Sequence, residues 1–242
     1  MNKIKLPIVL TLLITLSSCN VLNQLNLQPS MLETVSALRE ILNSSSFRAI
    51  KTLSQLSSED PAKVLPEEFQ PVLAGLRTLG LGNEINKITN QVGQISSIAL
   101  NETQDVIKQS IAKVDFGDAV AIVTGGKDAA TQVLKNNMKE LVRTRYSELL
   151  STQLNKTEAN TYWPMAASAY NIFAKTKVDT NLSNFLADRA VDGIFLAMGH
   201  EEQEIRKDYK SLGNAVVTKV FDYYTKNQNN NKNASFGNFK IN

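Results

Sequence analysis

The imidazole group occurs once in this chain, at His200, so any histidine-based acid–base or metal chemistry has to use it. His200-Glu201 opens like the zinc-protease pattern, but the second histidine ligand, due four residues on, is replaced by Glu204, and spacing identifies no third ligand. Glu202 and Arg206 stand four apart, a spacing that pairs opposite charges along one helix face and suggests a charged, partly solvated helix. Just upstream, Asp192 precedes Gly193, a residue expected to let helices approach closely. Asp188 and Asp192 lie one helical turn apart, a spacing common on surfaces. A second segment, Thr124-Gly125-Gly126-Lys127-Asp128-Ala129-Ala130-Thr131, carries a glycine turn into a helix N-terminus, whose free N–H groups attract anions. It departs from the phosphate-loop pattern at Ala121, where the first glycine belongs, and at Asp128, where Ser or Thr should follow the lysine. It reads as a helix–turn–helix connection with glycines ending one helix and Asp128 capping the next. Tyr162, Trp163, Tyr170 and Phe173 sit at helical spacing and read as core, with a sugar or lipid groove as the alternative. No Gly-x-Ser-x-Gly elbow is present. No catalytic residue, metal ligand or cofactor is therefore assigned.

The single thiol, Cys19, has a clearer use. Lys3 and Lys5 form a short positive region, and Leu6 to Leu16 an apolar one of the length found in secretory signals. Eleven residues are too few to span a bilayer core, which takes roughly 20. Leu16-Ser17-Ser18-Cys19 then resembles the lipobox read by lipoprotein signal peptidase: an aliphatic residue, two small ones, and the thiol that receives diacylglycerol. Ser18 departs from the commoner Gly or Ala but is still small. A lone cysteine in an exported chain has no internal disulfide partner, which suits a lipidated role. Asn20 is not the Asp that resembles an inner-membrane retention signal. The expectation is an outer-membrane lipoprotein facing the periplasm, its partners the membrane through the lipid and an unknown protein or small ligand. The formal charge of +3 includes the two signal-segment lysines, so the mature chain is close to neutral. With no basic stripe, nucleic acid is excluded as a partner.

Apolar residues recur at three and four through most of the remaining chain, and no stretch alternates as a strand would. Leu32, Val35, Leu38, Ile41 and Leu42 mark a first helix, which Asn43-Ser44-Ser45-Ser46 is expected to break before a second starts at Phe47. Pro61 and Pro66 punctuate the chain after that helix, and Gly80-Leu81-Gly82 stops a short helix. Further helices run over Ile85 to Ile111, Ala119 to Val123, Asp128 to Leu150, Thr157 to Phe173, Asn181 to Met198, and through Tyr224. The Asn-rich stretch Asn227 to Asn233 is too polar to order itself by burial. The fold class is all-α: residues 1–18 are signal peptide, 19–30 a lipidated tether, 31–226 a single multi-helix domain and 227–242 a flexible tail. At 43% hydrophobic and 20% charged, the chain has the composition of a globular protein with a real core.

Several segments in this order resemble the bacterial domain-of-unknown-function family 4197. They are Leu76-Arg77 with Gly80-Leu81-Gly82, Asp118-Ala119, Gly125-Gly126 with Ala129-Ala130-Thr131, Tyr170-Asn171, Ala190-Val191-Asp192-Gly193-Ile194-Phe195, Glu202 with Ile205-Arg206, and Val220-Phe221. The chain departs from the family at Asn90-Gln91-Val92-Gly93-Gln94, where a charged run is usual, and at Tyr209, where a proline is usual. The resemblance implies an all-α exported protein and supplies no activity.

The leading functional expectation is a non-enzymatic envelope lipoprotein whose helical domain binds a partner or an apolar or anionic ligand. Its candidate surface is where Gly125, Gly126 and Thr131 meet Asp192, Gly193, Glu202 and Arg206. The alternatives are a periplasmic hydrolase using His200 and neighbouring carboxylates, which requires His200 to face a pocket, and a lipid-handling module with an apolar cavity at Trp163 and Phe195.

Overall fold

The structure, a computed structural model, describes residues 27–236, with side-chain surroundings through Asn227. The signal segment and Cys19 lie outside the described residues. Among the described residues there are eight α-helices: α1 Met31–Glu59, α2 Phe69–Ala74, α3 Glu84–Lys113, α4 Ala119–Thr124, α5 Ala129–Leu154, α6 Ala159–Phe173, α7 Leu182–Lys207 and α8 Ala215–Phe236. Short 3₁₀ turns occupy Pro61–Lys63, Gly75–Leu79 and Tyr209–Leu212. Among the described residues there is no strand, and no helix is long and apolar enough to cross a membrane.

The four long helices α1, α3, α5 and α7 close a ring, each packing on the next: α1 on α3, α3 on α5, α5 on α7 and α7 on α1. Cross-helix bonds fix the directions. Arg39, Ser46 and Ser54 of α1 meet Ile111, Gln104 and Ser97 of α3, so numbers rise on one helix as they fall on the other. On α5, Lys139, Arg143 and Ser147 meet Asp192, Asp188 and Asn184 of α7 in the same antiparallel sense. The centre holds Leu38, Ile41, Ile88, Val92, Leu134, Val142, Leu150, Val191, Ile194 and Met198, all without solvent access. One end of the ring is covered by α2 and α6, the other by α4 and α8.

Helix α1 starts as its sequence directs. The Ser30 hydroxyl accepts from the Glu33 N–H at 3.2 Å, while the Glu33 carboxylate accepts from the Ser30 N–H at 2.8 Å. It does not break where expected. Asn43 to Ser46 continue the helix because Ser45 donates its hydroxyl to the Ile41 carbonyl at 2.8 Å and Ser46 to that of Asn43 at 3.0 Å. Both serines are buried, and hydroxyls satisfied in this way are small enough to let α3 approach. The Gly80 stop is as read, with φ at +78°, and Gly117 turns the chain between α3 and α4 at φ +55°. Asn181 caps α7, accepting from the Asn184 N–H at 3.0 Å. Helix α8 runs on into the Asn-rich stretch as far as Phe236. It contains neither Pro nor Gly, and extending a helix that is already nucleated costs little per residue.

Candidate functional site

The two motifs singled out in the sequence meet, and what they build is a clasp. Gly125 folds the chain back over the last carbonyls of α4, where a Cβ would stand 2.7 Å from the Ala121 oxygen. The turn delivers the first N–H groups of α5 to Glu202 on α7. The Glu202 carboxylate accepts from Ala130 N–H at 3.1 Å and from Thr131 N–H at 2.7 Å, and is wholly buried. One helical turn on, Arg206 donates to Glu202 at 2.8 Å, to the Val123 carbonyl at 2.9 Å and to the Ile122 carbonyl at 3.2 Å. Its guanidinium lies 5.4 Å from the centre of the Phe221 ring.

One ion pair thus places a negative charge at the N-terminus of α5 and a positive charge at the C-terminus of α4, each against the favourable end of a helix dipole. Two sequence expectations change, and the reading of the glycine turn as a connection stands. The pair Glu202–Arg206 is not a solvated surface pair, because α4, α5 and α8 close over it. Asp128 occupies the N-cap position of α5 but does not cap it; its carboxylate accepts from Gln132 at 2.9 Å instead. The N–H groups of Ala130 and Thr131, which an anion would seek, are already taken by Glu202, so that part of the turn belongs to the fold.

Asp192 and Gly193 lie away from the clasp, nearer the N-terminus of α7. Asp192 joins the α5–α7 seam, 2.8 Å from Lys139 and 3.1 Å from Lys135. Lys139 first, then Lys135, hold its carboxyl below the ordinary value. Gly193 does not serve close helix packing: a Cβ there would meet nothing within 4 Å. It opens onto a cleft of about 690 Å³ that follows α7.

On α7 the cleft is lined by Leu186, Ala190, Gly193, Ala197 and His200, spaced three and four apart, with Leu196 beside them. Leu53 and Leu65 stand on another wall, Leu100 of α3 and Tyr146 of α5 on others, and Lys63, Lys135 and Arg189 also line it. Leu196 is 77% exposed, an apolar side chain directed away from the core. Tyr146 is buried, which pushes its phenol well above the ordinary value against a hydrogen bond with Ser96. Sequence reasoning missed the cleft. Its signal was present in the small residues Ala190, Gly193 and Ala197 at helical spacing beside an out-of-phase Leu196.

His200 is exposed and lines this cleft. Among the described residues no carboxylate hydrogen-bonds its imidazole, and no group of His, Cys, Asp or Glu is placed to hold a metal ion. Glu204, whose carboxyl interacts with His200 electrostatically, is bonded to Lys207 at 2.6 Å, and Lys207 is the main cause of its lowered pKa. Asp188 is likewise engaged, paired with Arg143. The aromatic segment of α6 divides. Trp163 is core, its ring 5.4 Å from Phe69 and 4.5 Å from Phe185, its indole N–H donating to the Asp179 carbonyl at 3.0 Å. Tyr162 and Tyr170 are half-buried and Phe173 is exposed. Of the two residues expected to line an apolar cavity, Phe195 reaches the cleft wall, while Trp163 is sealed between two rings.

No curated protein and no solved structure matches this chain. The family model described as a protein of unknown function, DUF4197, matches residues 28–222. That span takes in the four-helix ring, the clasp and the cleft. The chain belongs to the DUF4197 family of proteins of unknown function.

Proposed function

We propose that this chain is an envelope lipoprotein, held through an acylated Cys19 at the outer membrane and facing the periplasm, whose helical domain is a non-enzymatic binding module. The anchor rests on the order of residues: Lys3 and Lys5, the apolar run Leu6 to Leu16, and Leu16-Ser17-Ser18-Cys19. A Cys19→Ser chain is expected to lose acyl labelling and to leave the membrane fraction. If it stays there unchanged, the anchor assignment is wrong.

The binding role rests on the cleft along α7. At about 690 Å³ it has the size of a small-molecule site, mostly apolar with a few polar groups at fixed places. The hydrolase reading has His200 on the cleft but lacks an acid hydrogen-bonded to it, so no proton relay is formed. An apolar fluorophore such as 1-anilinonaphthalene-8-sulfonate should bind saturably at one site, and Gly193→Leu, which projects a side chain into the open space, should abolish that binding. Binding that Gly193→Leu leaves intact would move the ligand elsewhere and sink this reading.

A further inference from the structure

We propose that the cleft takes a long-chain carboxylate, its acyl chain laid along α7 and its anionic head held by the lining cations Lys63, Lys135 and Arg189; this rests on the binding-module reading above.

Shape supplies the first argument. From Leu186 to His200 the lining stripe of α7 spans fourteen residue steps, about 21 Å of helix. One lipid tail occupies about half of a ~30 Å hydrocarbon core. The trough therefore accepts a full tail along the helix axis. Ala190, Gly193 and Ala197 keep that wall low, and Leu196 offers an apolar side chain that no protein neighbour covers. The volume of about 690 Å³ lies within the range of small-molecule sites and has room for one chain with a compact head.

Charge supplies the second. Lys63, Lys135 and Arg189 line the cleft, while the acids they pair with, Asp60, Asp192 and Glu68, do not. Each pair thus turns its cationic end toward the cleft. These pairs are partly exposed and contribute little, so a ligand carboxylate can share their cations at small cost. Asp192 is already divided between Lys135 and Lys139, which leaves a positive charge in excess at that point. Asp128 is the one carboxylate among the lining residues, and it lies toward the His200 end, with its side chain 3.4 Å from where a Cβ of Gly199 would be. An anionic head is therefore repelled from the His200 end and drawn toward Lys135 and Arg189.

The test is displacement of bound 1-anilinonaphthalene-8-sulfonate from the Cys19→Ser chain, which carries no lipid of its own. Hexadecanoate should displace the probe at a concentration at least tenfold lower than its methyl ester or octanoate. The double variant Lys135→Gln/Arg189→Gln should weaken hexadecanoate about tenfold and leave the methyl ester unchanged. Leu196→Asp, at an exposed position that does not threaten the fold, should weaken hexadecanoate more than the ester. A methyl ester equal to the acid would overturn the anionic head, and octanoate equal to hexadecanoate would overturn the long chain. A single-chain phospholipid that displaces the probe at lower concentration than hexadecanoate would overturn the carboxylate in favour of a phosphate. If no amphiphile displaces a probe that Gly193→Leu abolishes, this ligand class is wrong and the binding module stands. If Gly193→Leu has no effect on the probe, both readings fall.

Discussion

Glu202 is a wholly buried carboxylate, and its bonds explain how the fold tolerates that. Desolvating an ionised group costs several kcal/mol, offset here by a guanidinium and two helix N–H groups in direct contact. Removing only the acid leaves Arg206, itself 11% exposed, with an uncompensated charge. Glu202→Ala is therefore expected to lower stability by about 3–5 kcal/mol in urea denaturation. The double change Glu202→Leu/Arg206→Met should recover a large part of that loss, since it removes both charges together; if it is as damaging as the single variant, the pair is not what holds α4 and α5 to α7.

Glu33, at the start of α1, is the opposite kind of site. It is half-buried at the surface, and its carboxyl is held at about 2, first by the Lys219 ammonium and then by the Ser30 N–H. Its folded pKa lies below the ordinary value of about 4.3, so its contribution is present above that pH and is lost as the pH falls toward 2. The melting-temperature gap between the wild-type chain and Glu33→Gln should be widest near neutrality and close between about pH 4 and pH 2.

At the scale of elements, the same substitution should act with opposite sign at two helical glycines. Gly93 of α3 lies under the turn after α1, where a Cβ would collide with the Pro61 ring and reach 2.5 Å from the Ser57 carbonyl oxygen. Gly93→Ala is expected to cost about 1–3 kcal/mol, by forcing that turn off α3. Gly193 of α7 faces the open cleft, so Gly193→Ala should raise stability by about 0.5–1 kcal/mol through helix propensity alone. Thermal melts of the two variants decide the matter, and a loss at Gly193 would mean that the cleft is filled by protein. Farther along α1, Ser54 meets Ser97 at 2.9 Å and accepts from Asn101 at 2.8 Å, making a polar seam between α1 and α3.

For the whole molecule, each long helix has two long neighbours in the ring, and no pair stands apart from the rest. Trp163 ties the end cap to that ring, packing against Phe69 of α2 and Phe185 of α7. The fluorescence of this single tryptophan should therefore report the same unfolding transition as far-ultraviolet circular dichroism. Two separated midpoints would show that α2 and α6 unfold as an independent cap.

The residues themselves determined that the chain is all-helical and where most helices lie, because amphipathic periodicity and glycine turns are properties of short segments. The Gly125-Gly126 turn, the start of α7 near Asn181 and the stop at Gly80 were legible for the same reason. Periodicity failed at Asn43 to Ser46, where small polar side chains sit in a helix interface instead of a loop. Two decisions belonged to the tertiary structure. Which carboxylate caps α5 depends on a residue 72 positions beyond Ala130, brought there by the antiparallel packing of α7 on α5. Whether Gly193 packs or opens depends on what stands opposite it, and a missing neighbour leaves no mark in local sequence. The motif that looked most like a binding site became part of the framework, and the site formed where side chains fall short of filling the space between helices.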